Sequence, residues 1–403
     1  MRELLTLEQY QVELLALATP PSGPESVALA DAQGRVLAAP VRSAVSIPGF
    51  DNSAMDGYAV RLADVAAVPA RLRVVGDVPA GSAADPWAGP GECVRIMTGA
   101  PLPSFADTVV PVEHTEPDGD GDWVTVTSAP TRLGAHVRRA GDDILPGAEV
   151  AGPGSEVTPG LVGALAGTGV VSVQVRPRPV AAVCATGDEL VADGSPLRRG
   201  QLYESNSLAL AAALARHGAT PVRADPVRDD PVALAGWLDA ISTRAGLVVL
   251  TGGASVGAYD VVRDVLQAAG GTFRHVRVQP GKPQGWAVWN GVPVISLPGN
   301  PVSAQLSYEL FVRPLLDRML GRTERPWFTA VAGAAWASPA GRCQIVPARL
   351  TTATDGRLTA EPAHPRGSAS HMVTSLARAD GYVMVDAEAT TVCVGDPLRA
   401  RWL

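Results

Sequence analysis

The sequence predicts a multidomain chain, α/β plus β: a central doubly wound α/β domain, a β-rich insert before it and a C-terminal β-barrel-like domain after it. Three observations carry this reading. From 179 to 320, apolar strand-like runs at 180–184, 247–250 and 293–297 alternate with amphipathic stretches at 206–217, 231–242, 259–269 and 301–320. From about 46 to 140, short β-type runs (72–75, 93–97, 108–112, 123–127) are separated by Gly, Pro and Asp clusters. After Arg325-Pro326 helical spacing stops and β-type runs return to the C-terminus.

Taken in order, the chain opens on a helix. Thr6 and Gln9 form a capping-box pattern, Leu7, Gln11, Leu14, Leu15 and Ala18 keep helical spacing, and Pro20 and Pro21 stop it. Residues 157–175 are uncharged, but Pro159, Gly160, Gly163, Gly167 and Gly169 divide them, so a short helix and a strand are expected rather than a membrane span. The expected domains are 1–45 with 141–178 (a discontinuous helical and linker domain), 46–140 (the insert), 179–324 (the α/β domain) and 325–403 (the terminal β domain).

Composition narrows the function classes. The chain has 403 residues, 46% hydrophobic and 18% charged, with 42 Gly and 35 Pro that demand many turns without implying disorder. A net charge of −7 argues against a dedicated nucleic-acid or anionic-membrane binder and leaves a small, nucleotide-like ligand as the favoured partner. Cys93, Cys184, Cys343 and Cys393 are spaced for neither a zinc site nor a disulfide framework, and residues 1–20 lack the apolar run of a secretion signal. Reduced, mostly buried thiols and a cytoplasmic location are expected. Only one lysine, Lys282, stands among the 33 basic residues, and only four asparagines occur: Asn52, Asn206, Asn290 and Asn300. A coding bias accounts for the scarcity but not for where the exceptions sit.

In an open α/β sheet, ligands bind beyond the carboxyl ends of the strands. The unusual loops fall there: "ATGDEL" (185–190), "VRDDP" (227–231), "TGGASVGAYD" (251–260), "QPGKP" (279–283) and "LPGNPVSA" (297–304). In "TGGASVG", Gly252, Gly253 and Gly257 surround Ser255 between a strand and a helix, where backbone N–H groups can approach a phosphate; a mere turn has the same pattern. "PGNPVS" places Asn300 and Ser303 at another helix start after Gly299, and an N-cap is the simplest role for Asn300 taken alone. Asp188, Glu189, Asp229, Asp230 and Asp260 put five carboxylates on the same edge, and such a set repels itself unless a cation neutralises it. Oxygen ligands suit Mg²⁺ bridged to a phosphate. Lys282, between Gly281 and Pro283, supplies the opposite sign. The insert carries its own dense string, "PGFDNSAMDGYAV" (48–60), then "RIMTGAPLP" (95–103) and "ADTVVPVE" (106–113), for which a tight β-turn packing motif is the alternative.

Together "DNSAMDGYAV", "RIMTGAPLP", "TGDEL", "RDDP", "SVGAYD", "PGKP" and "LPGNPVSA" resemble the molybdopterin molybdenumtransferases, bacterial relatives of the gephyrin E domain, over essentially the whole chain. The resemblance implies a molybdopterin-binding-like central domain and the final step of molybdenum cofactor synthesis. In that step adenylylated molybdopterin and molybdate give the molybdenum cofactor and AMP with a divalent cation, Mg²⁺. It implies four domains in an elongated homodimer, the active site lying between the α/β domain of one subunit and the insert of the other. The site positions it implies are Asp56, Thr98, Asp143 in "RRAGDDI", Glu189, Asp229, Asp260 and Lys282, with Glu189, Asp229 and Asp260 as metal ligands. Gly252, Gly253, Ser255, Pro298, Gly299, Asn300, Pro301, Ser303 and, in "GSASHM", Ser370 complete the substrate-binding set. Two positions that are lysine in some relatives are His275 and Gln279 here, which leaves Arg277 or Lys282 to carry the positive charge. A molybdopterin adenylyltransferase is an expected partner and also the rival reading of the α/β core, which shares the "GG" loop and "PGNP" but lacks the insert and β tail. A gephyrin-type scaffold is the second rival.

Overall fold

The computed structural model describes residues 4–252, 260–366 and 369–403. Helix α1 (Leu7–Leu15) starts with the expected capping box, Thr6 Oγ1 accepting from Gln9 N while Gln9 Oε1 accepts from Thr6 N. Its Tyr10 and Leu14 are fully buried in the central core, where the Tyr10 ring meets Phe311 edge-on at 5.0 Å. The first helix therefore packs on the α/β region. Residues 25–42 instead pair with distant chain: Glu25–Ala28 lies antiparallel to Ser172–Val175, and Val41–Arg42 to Glu149–Ala151. The expected short helix is α2 (Pro159–Gly167), capped by Thr158, and its Leu165 joins Leu37, Val157 and Val173 in a small core of this region.

The β-rich segment forms one six-stranded sheet in the order Thr108–Pro111, Gly57–Val60, Glu92–Ile96, Ala70–Val78, Trp123–Val126 and Thr115–Asp118. Valines and alanines alternate into two thin cores, one on each face.

The central sheet also has six strands, in the order Thr220–Arg223, Val180–Ala185, Leu247–Thr251, Val292–Leu297, Gln284–Trp289 and Thr272–Arg274. The first four run parallel, Gln284–Trp289 runs antiparallel to them, and Thr272–Arg274 runs antiparallel to Gln284–Trp289. Helices α3 (Asn206–Arg216), α4 (Pro231–Ser242), α5 (Val261–Ala268), α6 (Pro301–Ser307) and α7 (Arg313–Leu320) follow the expected stretches. Two cores, one including Leu210, Leu214, Phe311 and Leu316 and the other Leu234, Leu238, Val262 and Leu266, share the strands between them. That is the doubly wound arrangement.

The stretch expected as one helix over 301–320 is interrupted by a π-helical turn at Tyr308–Val312. Pro314 has no N–H to donate to the Leu310 carbonyl one turn back, and that carbonyl accepts from the Gln11 side chain of α1 at 2.8 Å instead. The C-terminal sheet closes on itself: Cys343–Thr352, Leu358–Pro362, Phe328–Ala332, Pro397–Trp402 and Gly381–Val385 form a five-stranded barrel around Val346, Ala348, Ala360 and Val383. Strand Val278–Gln279, from the α/β region, pairs with the edge of Cys343–Thr352 and so ties the "QPGKP" loop to the barrel.

All four cysteines are free thiols: Cys93 and Cys184 are buried, Cys343 is half-buried, and Cys393 is exposed, against the expectation of mostly buried thiols. Burial pushes the Cys93 and Cys184 thiols up to about 12. Among the described residues no helix is long and apolar enough to cross a membrane.

Candidate active site

The parallel strands Val180–Ala185, Leu247–Thr251 and Val292–Leu297 end side by side, and the loops that leave them meet without side chains in between. A Cβ on Gly252, whose φ is +96°, would collide with the Thr186 carbonyl, and one on Gly299 would come within 3.3 Å of the Gly252 Cα. Glycine is required at 252, and little room is left for a side chain at 299, because backbone is packed on backbone there. Asn206, at the start of α3, holds this junction: its Nδ2 donates to Thr251 Oγ1 at 2.9 Å and to the Gly299 carbonyl at 2.7 Å, and Thr251 Oγ1 donates to the Pro298 carbonyl.

Above the junction opens a cavity of about 810 Å³. Of the residues expected at the site, Glu189, Asp229, Gly252, Asp260, Lys282, Pro298, Gly299, Asn300, Pro301, Ser303 and Ser370 line it. Gly253 and Ser255 lie outside the described residues. Asp56, Thr98 and Asp143 are not among the residues lining this cavity. Asp56 and Thr98 are paired with each other: Thr98 donates to Asp56 Oδ1 from both its backbone N–H and its hydroxyl, each at 2.7 Å, and these bonds hold the Asp56 carboxyl below the usual carboxylate range. Asp143 sits on an exposed turn whose backbone N–H donates to the Ile47 carbonyl.

The five carboxylates of the crest separate by role. Asp230 caps α4, accepting from Val232 N and Ala233 N, which leaves the exposed Asp229 beside the cavity. Asp260 is buried and caps α5 through Oδ1, which accepts from Arg263 N at 3.0 Å. Asp188 is exposed and does not line the cavity. Among the described residues no three His, Cys, Asp or Glu side chains gather as a ready metal cage, so the Glu189, Asp229 and Asp260 set expected to hold a metal is not assembled into one.

Asn300 corrects its simplest reading. It occupies the residue before α6 but makes no side-chain cap; its Nδ2 donates across to Ser370 Oγ at 3.1 Å, while the Ser370 carbonyl accepts from Val302 N. The loop carrying Lys282 is fixed from behind by Gln284, whose Nε2 donates to the Gly281 carbonyl at 3.2 Å and to Ser307 Oγ at 2.7 Å. A Cβ on Gly281 would come within 3.0 Å of both Gln284 Nε2 and Ser307 Oγ.

The second cation on the cavity wall is Arg342, from the barrel, and the motif strings did not mark it. Its Nη1 donates to Gln279 Oε1 at 3.2 Å, a bond that a lysine at 279, having no acceptor, could not form. Burial first, and the Arg342 charge second, hold the Lys282 ammonium below the usual lysine range. Arg277, the other expected carrier of charge, is turned elsewhere, donating to the Gly341 carbonyl and not lining the cavity. His275 does not line it either. Asn206, Arg342 and Gln344 are thus the functional candidates that sequence reasoning missed; the rarity of asparagine was the one signal that pointed to Asn206.

Three family models account for nearly all of the chain: the MoeA N-terminal region (domains I and II) over residues 5–169, the probable molybdopterin binding domain over 182–318, and the MoeA C-terminal region (domain IV) over 329–399. Molybdopterin molybdenumtransferase 2 of Mycobacterium tuberculosis is 40% identical across 93% of this chain and 94% of its own. The chain belongs to the molybdopterin molybdenumtransferase family. Molybdopterin molybdenumtransferase 1 of the same organism is 36% identical across 99% of both chains. The crystal structure of the molybdopterin biosynthesis MoeA protein of Pyrococcus horikosii superposes with a TM-score of 0.79 at 29% identity over 99% of both chains. Membership of the molybdopterin molybdenumtransferases agrees with the order of regions seen here, in which the probable molybdopterin binding domain supplies most of the cavity wall and the C-terminal barrel the rest.

Proposed function

We propose that this chain is the transferase that inserts molybdenum into adenylylated molybdopterin, releasing AMP and the molybdenum cofactor. The observation that carries the reading is a single cavity lined by both signs: Lys282 and Arg342, with Gln279, Gln344 and Ser370, and the carboxylates Glu189, Asp229 and Asp260. A tetrahedral oxyanion such as molybdate is bound by an ammonium, a guanidinium and hydroxyl or amide donors. Breaking the anhydride-type link to AMP requires its negative charge to be neutralised and the attacking oxygen to be held in line. The cations neutralise and orient molybdate, and the strand-end loops clamped by Asn206 fix the phosphate beside it.

Mg²⁺ fits the carboxylates of the cavity wall. The donors there are all oxygen, and Mg²⁺ commonly takes one or two carboxylates together with substrate phosphate oxygens rather than a full protein cage. Asp229 and Asp260 would hold it, with Glu189 at the rim. When bound, the ion supplies charge neutralisation at the phosphate.

The Asp56–Thr98 pair, together with Asp143, is assigned to the cavity of a second subunit, which makes the active enzyme a homodimer. Its support is that the pair is exposed, ordered by its own hydrogen bonds and absent from this chain's cavity wall. The domain division 1–45 with 141–178, 46–140, 179–324 and 325–403, altered in that α1 packs on the 179–324 domain, belongs to the same proposal, as do a cytoplasmic site of action and a molybdopterin adenylyltransferase that delivers the adenylylated substrate. The deciding experiment adds molybdate to purified protein and adenylylated molybdopterin. AMP release that depends on molybdate and Mg²⁺ is expected, and intact adenylylated pterin after molybdate addition would refute insertion.

A further inference from the structure

We propose that Tyr203 is the stacking platform for a planar heteroaromatic ring of the substrate; the assignment rests on the insertion reading, whose substrate carries two such rings, adenine and pterin. The chain spends aromatic residues sparingly, at 5% of its length. Of its six tyrosines, Tyr10, Tyr308 and Tyr382 are fully buried, Tyr58 is half-buried and Tyr259 lies outside the described residues. Tyr203 is 53% exposed and is the one aromatic side chain that lines the cavity among the described residues. Leu202, 59% exposed, and the half-buried Leu190 line the cavity with it and add apolar surface.

The backbone beneath the ring is fixed on both sides. Leu190–Val191 and Leu202–Tyr203 pair as a short parallel ladder, Leu202 N donating to the Glu189 carbonyl and Glu204 N to the Val191 carbonyl, each at 2.9 Å. The next side chain, Glu204, is buried and accepts from Ser207 N at 2.7 Å and Ser207 Oγ at 2.6 Å, which anchors the segment to the first turn of α3. These two leucines and the tyrosine have no core to fill, since the ladder pairs with no other strand and its outer residues face water. A rigid aromatic ring held at a cavity wall with only two side-chain torsions loses little entropy when a flat ligand covers it. It accepts adenine or a pterin equally, because each presents a π-face. Glu189, whose carbonyl accepts from Leu202 N, leads into the same ladder, so the ring is tied to a segment that carries one of the cavity's carboxylates.

The test measures binding to the full-length protein by titration calorimetry with three probes: AMP, molybdopterin without the nucleotide, and molybdate. Tyr203→Ala is expected to weaken AMP or molybdopterin binding by a factor on the order of 10 to 100, as loss of one base–aromatic stack does, with molybdate binding unchanged. Tyr203→Phe keeps the ring and is expected to bind within about twofold of wild type. Weakening confined to AMP assigns the platform to adenine; weakening confined to molybdopterin assigns it to the pterin. Unchanged binding of both probes in the Ala variant, or a Phe variant as weak as the Ala variant, would overturn the assignment. Molybdate-dependent AMP release by wild type, measured in parallel, judges the insertion reading separately.

Discussion

The two acidic loop systems of this chain are built in opposite ways. The crest of the α/β sheet assembles its groups from distant stretches, from Glu189 to Ser370, around a cavity whose floor is backbone packed on backbone. The Asp56 loop of the insert is held within the insert, one carboxylate accepting two bonds from Thr98, and it does not line the crest cavity. Preorganisation in the first case comes from loops that meet at the strand ends and in the second from strand pairing within the insert, where Gly57 lies opposite Ile96 and brings Asp56 to Thr98, 42 residues away. An exposed group ordered within the insert and away from the crest cavity is suited to complete a site on another molecule, whereas the crest already offers a binding volume.

The largest effect should come from removing charge at the crest. Asn caps a helix about as well as Asp, so Asp260→Asn keeps the α5 cap and loses only the carboxylate charge. We expect molybdate-dependent AMP release to fall by on the order of 100-fold or more, with the unfolding midpoint in urea little changed. Full turnover at saturating Mg²⁺ would remove Asp260 from the reaction, and Asp229→Asn tests its exposed neighbour in the same way.

Next is the cationic side. Lys282→Arg should lower turnover by a factor on the order of 10 to 100, because a planar guanidinium does not fit the volume of a compact ammonium between Gly281 and Pro283. The sign of the pH dependence follows from the depressed lysine. Its charge is present at low pH and is lost as pH rises through a value below the usual lysine range. Molybdate affinity should therefore decline on the alkaline side earlier than an ordinary lysine would dictate, and the Arg variant, charged throughout, should lack that decline. Identical alkaline limbs in the two proteins would detach Lys282 from anion binding.

The insert is tested by mixing. If its Asp56 completes a partner's cavity, subunits carrying Asp56→Asn and subunits carrying Asp260→Asn should regain about a quarter of wild-type activity when combined equally, since half the dimers then hold one intact site of two. A verified heterodimer with no activity would mean that each cavity is completed within one chain.

The smallest effect separates structural from ligand-facing polar groups. Asp230→Ala removes a true N-cap and should cost about 1 kcal/mol of unfolding free energy. Asn300→Ala removes a bridge to Ser370 rather than a cap, so its stability should stay within about 0.5 kcal/mol of wild type while affinity for the substrate falls. Equal losses of stability in urea titrations would return Asn300 to a capping role.

Much of the crest was legible because its signals are short-range. A glycine pair after an apolar run, or Asn-Pro before a helical one, marks a strand-to-helix loop wherever it occurs. The π-helical turn was not legible, since it needs both Pro314 and the reach of Gln11 from a helix some 300 residues earlier in the chain. Arg342 was hidden for a similar reason. Nothing near it in sequence resembles a motif, and it enters the cavity only because the barrel edge pairs with Val278–Gln279.

By itself, then, the sequence determined the order of regions, the helices and strands of the α/β core and the identity of the loops at its carboxyl edge, because each depends on periodicity and turn chemistry within a few residues. Tertiary structure alone decided which acids face the cavity and which cap helices, that Asn300 reaches Ser370, that Arg342 stands beside Lys282, and that the Asp56 loop lies apart from the cavity of its own chain. Those outcomes depend on how a barrel, a sheet and an insert dock, and docking brings together residues whose separation along the chain carries no local pattern.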